Sequence, residues 1–106
     1  MSREQDIAHL IDVLEAEYDL ENGFLGLLRQ GIFDLEGLDR LIAILTSIDL
    51  SNESVVDRRL VALLWMIPTL MSWQIPRVSE LGGSISPLQH GIDKIQSLLM
   101  SILGTP

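Results

Sequence analysis

The chain has 106 residues, of which 47% are apolar and 21% charged, and it contains no cysteine. This length supports one domain, 1–106, and the apolar content excludes an intrinsically disordered protein. The missing cysteines exclude a disulfide scaffold and a thiolate zinc site, and the net charge of −8 argues against nucleic acid and anionic membranes as direct partners.

The first helix is predicted to begin at a capping box formed by Ser2 and Gln5. Asn22 and Gly23 are a fitting stop for this helix, and a short turn or helix is expected over 24–30. The apolar residues of the first helix recur every three or four positions, which predicts one buried face. They are Ile7, Leu10, Ile11, Leu14 and Tyr18.

The middle of the chain predicts two further helices and a break. Asp34 is the expected N-cap of one helix, and Ser51 or Asn52 is the expected N-cap of the next. Pro68 is expected to kink this second helix or to start a new turn, because proline lacks the amide hydrogen. A short helix over 69–75, closed by Pro76, is predicted to follow.

The last helix has the clearest start of the chain. Gly82 and Gly83 predict a loop, and the segment 86–89 then combines an N-cap serine, a proline and a glutamine. Gly104 is the expected terminator. The apolar residues in between follow a four-three spacing, which predicts packing within the bundle or against a second copy.

These elements predict an all-α fold, a compact single-domain bundle of four to five helices with a Pro-kinked apolar helix at its centre. Residues 60–76 carry no charge, but their prolines and polar side chains favour a core helix over a membrane span. Trp65 and Trp73 fit either the core or an interface. The acidic start lacks the apolar region of a signal peptide, which predicts a cytoplasmic protein.

The distribution of charge is the most unusual feature of the sequence. Residues 1–39 hold ten acids and two bases, whereas residues 40–106 hold five of each. Several of these acids would repel one another at helical spacing, and this local cost indicates a role elsewhere. Arg29 or Arg40 could also cover them in the fold. The candidate partner-binding residues are Asp12, Glu15, Glu17, Asp19 and Glu21.

No sequence motif indicates catalysis. The chain has no nucleophile elbow, phosphate loop or dinucleotide fingerprint, and no cofactor is expected. The spacing of Asp6, His9 and Asp12 is a weak ligand set, so no metal is predicted. His9 and His90 are expected to be exposed. We therefore expect a binding protein rather than an enzyme.

The function that this pattern favours is inhibition of a basic protein. Small size, strong acidity and the lack of catalytic motifs are typical of immunity proteins and antitoxins that block nuclease-like toxins. In this interpretation the five carboxylates take the place of substrate phosphates opposite lysine and arginine. The alternative is a structural or oligomerisation module whose apolar helix faces pair, with a homodimer as one form.

Overall fold

The structure, a computed structural model, describes residues 3–51 and 53–104, with side chains described from residue 6 onward within those ranges. Four helices of 12 to 18 residues and two of six residues account for most of this part, and it contains no strand. They are α1 (Arg3–Ala16), α2 (Phe24–Arg29), α3 (Leu35–Thr46), α4 (Arg58–Trp73), α5 (Ile75–Glu80) and α6 (Ser86–Leu103). The predicted all-α bundle is confirmed.

Helix α4 is the central element. It packs against α1, α2, α5 and α6, while α6 also packs against α3. One hydrophobic cluster takes buried side chains from all six helices. Its fully buried members include Leu14, Phe24, Leu41, Leu64 and Leu88. No helix in the described part of the chain combines the length and apolar content that crossing a membrane requires.

The first helix is shorter than predicted. It ends at Ala16, and residues 17–23 form a series of turns before α2. These turns are held from within the fold, because the carbonyl oxygen of Glu17 accepts hydrogen bonds from the amides of Leu25 and Gly26. The side chain of Gln5 and the whole of Ser2 lie outside the described residues, so the predicted capping box is not described.

The predicted short helix over 69–75 is wrong. Helix α4 continues through Pro68 to Trp73, and the hydroxyl group of Ser72 donates to the carbonyl of Pro68 at 2.9 Å. Pro76 lies in the first turn of α5, where its missing amide hydrogen removes no intrahelical bond. This proline therefore opens a helix instead of closing one.

Two predicted caps are also corrected. Asp57, not Ser51, caps α4, and its carboxylate accepts from the amide of Leu60 at 3.1 Å; Asn52 lies outside the described residues. Ser86 is the first residue of α6, and Ile85 occupies the N-cap position without a side-chain bond. Gly82 and Gly104 have a φ of 83°, which glycine adopts without steric cost, as their predicted roles require.

Candidate functional site

The five predicted partner-binding acids lie in three different environments. Asp12 and Glu15 are exposed on α1, whereas the other three belong to the turns over 17–23. Mutual repulsion of these acids was predicted from helical spacing. Because α1 ends at Ala16, that spacing does not apply to the three acids that follow. Their environments differ because the fold binds some of these carboxylates and leaves others in water.

Glu17 is an internal structural residue. Its side chain is 4% exposed, and its carboxylate receives two hydrogen bonds from Arg40, at 2.7 and 2.8 Å, and one from the amide of Phe24 at 3.0 Å. These hydrogen bonds to Glu17 raise the pKa of the Arg40 guanidinium above its usual range, and the charges of Glu17 and Asp34 add to the effect. Glu17 thus ties the end of α1 to α2 and α3. It is not available to a partner, and the sequence prediction of Glu17 as a contact residue is corrected.

Glu15 and Asp19 also have partners within the chain. A carboxylate oxygen of Glu15 lies 3.0 Å from the guanidinium of Arg59 on α4, in a pair whose side chains are 45% and 60% exposed. Asp19 accepts from the amides of Glu21 and Asn22 at 3.1 and 2.9 Å, which closes a local turn. Exposed ion pairs contribute little to stability, so Glu15 keeps the freedom to exchange its partner.

Asp12 and Glu21 are the remaining members of the predicted set. Both are exposed, and neither makes an ion pair or a side-chain hydrogen bond to the residues that the structure describes. The sequence left open that arginines of the protein itself pair with these acids. In the fold, Arg40 pairs with Glu17 and Arg59 pairs with Glu15, whereas Arg29 pairs with none of the five acids. The acidic surface that is left is smaller than the sequence indicated.

Tyr18 fixes the junction between the end of α1 and α4. Its hydroxyl group donates to the carbonyl of Leu63 at 2.6 Å. Burial raises the pKa of Tyr18 to about 12, although the charge of Arg59 offsets part of the rise. Tyr18, Arg59 and Met66 line an open groove beside α4. The phenol of Tyr18 is therefore uncharged near pH 7, and it forms one side of this groove.

The most exposed aromatic surface lies on α4. Trp65 is 53% exposed and Trp73 is 63% exposed, so both tryptophans face solvent although their helix is central. At 100° per residue, Arg58, the two tryptophans and three half-buried residues of α4 fall within an arc of about 100°. We call this surface the α4 outer face; its residues are Arg58, Ala62, Trp65, Met66, Thr69 and Trp73.

The sequence signalled this face only in part. The apolar residues all around α4 fitted a helix buried on every side, which was the favoured interpretation, or a helix covered by a partner, and they did not show which side the bundle covers. In the fold, Leu60, Leu64 and Ile67 turn inward and are fully buried. The opposite side, with both tryptophans, has no covering element among the described residues.

His9 and His90 are both exposed, as predicted. The described residues contain no group of three or more histidine, aspartate or glutamate side chains placed to hold a metal ion. The geometry therefore defines an all-α bundle with two distinct surfaces, one acidic and one aromatic. Comparison of the chain with protein-family models, curated proteins and solved structures gave no match.

Proposed function

We propose that this protein is a binding module that recognises another polypeptide through the α4 outer face. The observation that carries the proposal is the exposure of Trp65 and Trp73 on the same side of one helix. Met66 and Thr69 lie between them along this side of α4 and are half-buried. Single exposed apolar residues are ordinary, but two large, exposed aromatic side chains on one side of a helix favour an interaction site.

Tryptophan is suited to this role for a physical reason. A tryptophan side chain buries roughly 150–250 Å² when it is covered, and it loses little conformational entropy because it has only two rotatable bonds. Truncation of a buried interface tryptophan is among the most damaging changes in a complex. We therefore assign the largest part of the binding energy to Trp65 and Trp73, and we propose binding rather than catalysis as the activity.

The test compares one double variant of the α4 outer face with one control variant. The double variant Trp65→Ala/Trp73→Ala removes the aromatic strip, and Leu35→Ala removes an equally exposed apolar residue on α3. Each purified protein is immobilised, and captured polypeptides are identified by mass spectrometry and retested as purified components. We expect one polypeptide whose direct affinity falls at least tenfold with the double variant and is unchanged with Leu35→Ala.

A second candidate function is electrostatic inhibition of a basic protein such as a nuclease-like toxin. The exposed carboxylates of Asp12 and Glu21, which have no partner among the described side chains, favour it. Asp19 adds a third exposed carboxylate, and Glu15 joins if Arg59 releases it. Glu17 takes no part in this version of the proposal.

The variant Asp12→Lys/Glu21→Lys separates the two candidates. If the acidic surface binds the partner, this variant weakens binding and flattens its dependence on salt, because attraction between opposite charges is screened by ions. If the α4 outer face binds the partner, affinity is unchanged at moderate salt.

We propose the cytoplasm as the compartment of this protein, since a chain without cysteine gains nothing from an oxidising compartment.

A further inference from the structure

We draw no further inference here: the strongest candidate, the apolar groove between α1 and the segment that leads into α4, lined by Ile7, Ile11, Leu50 and Val56, carries nothing, because no feature of the described residues shows what covers it and the carboxylate of Asp57 at its edge already caps α4.

Discussion

Glu17 is the only charged side chain that is buried in the described part of the chain. Its sequence neighbours Glu15, Asp19 and Glu21 are exposed, although all four belong to one acidic run. The difference arises from Arg40, which lies 23 positions later in the chain and whose guanidinium binds both carboxylate oxygens of Glu17. A local pattern cannot identify such a residue, because its partner comes from another helix.

We expect Arg40→Ala to lower the free energy of unfolding by about 2–3 kcal/mol, because it leaves the carboxylate of Glu17 buried without a counter-charge. The loss is smaller than for a fully buried pair since the Arg40 side chain is 47% exposed and water can enter. Urea denaturation measures the change. Arg29→Ala, at an exposed position on α2, is the control and should change stability by less than about 0.5 kcal/mol. Equal losses for both variants would contradict the structural role of the pair.

The raised pKa of Tyr18 predicts that the folded protein loses stability in alkaline solution. Its pKa is raised to about 12 in the folded protein, above the usual value near 10, so the unfolded chain releases this proton first. The stability that Tyr18 contributes is therefore complete below pH 10 and is lost as the pH rises towards 12. Because the ring is only half-buried, we expect a total of about 1–2 kcal/mol.

The chain has one tyrosine, so an ultraviolet titration of the phenolate reports on Tyr18 alone. A midpoint near the value for a free tyrosine would contradict the burial of the phenol. Denaturation experiments on Tyr18→Phe provide the second measurement. This variant should lose the dependence of stability on alkaline pH, because phenylalanine has no proton to release.

At the scale of elements, the connection between α1 and α2 is the part of the fold that is hardest to predict from the sequence. Gly23 and Gly26 allow the backbone of α2 to pass directly over the turns that follow α1. A Cβ atom at Gly26 would overlap with the carbonyl oxygen of Asp19, and one at Gly23 would overlap with the backbone of Glu17. Residues 17–23 thus form turns that contact the backbone of α2 and do not extend α1.

We expect Gly26→Ala to destabilise the protein by more than about 3 kcal/mol, because the added Cβ meets rigid backbone and not a flexible side chain. Gly82→Ala is the matched control. Gly82 has a positive φ but open space around its Cα, so only the conformational strain of about 1–2 kcal/mol applies. Thermal unfolding followed by circular dichroism compares the two variants. A smaller loss at Gly26 than at Gly82 would contradict the close approach.

The sequence predicted the helices better than their ends. Apolar residues at helical spacing located α3, α4 and α6, because burial of one face depends on a pattern that repeats over many residues. Caps depend on single hydrogen bonds, and several residues compete for each one. Asp57 replaced Ser51 in this way, and Pro76 opened a helix that it was expected to close. Of the site, the sequence named Arg40 as one possible partner of the acidic segment, but it did not show that Glu17 is the acid that Arg40 binds or that Arg59 pairs with Glu15.

At the scale of the whole molecule, the charge is unevenly distributed. The excess of acids lies in residues 1–39, and among the described residues of this segment Glu15 and Glu17 are the acids that form ion pairs. Unpaired acids in one molecule repel one another, and this repulsion weakens as salt is added. The folded state should therefore be more stable in moderate salt than in dilute buffer.

We expect Asp12→Asn/Glu21→Gln to raise the free energy of unfolding by about 0.2–0.5 kcal/mol at low ionic strength, because it removes two unpaired negative charges. The gain should disappear at high salt. Glu15→Gln is the control, since it removes a paired acid and should bring no gain. A loss of stability in Asp12→Asn/Glu21→Gln would show that these carboxylates have partners within the fold.

The exposure of Trp65 and Trp73 also affects how this protein is best observed. They are the only two tryptophans of the chain, and both already contact water in the folded state. Their fluorescence emission should therefore change little on denaturation and should shift to the blue when the α4 outer face is covered. The same optical signal that reports unfolding in most proteins would here report complex formation.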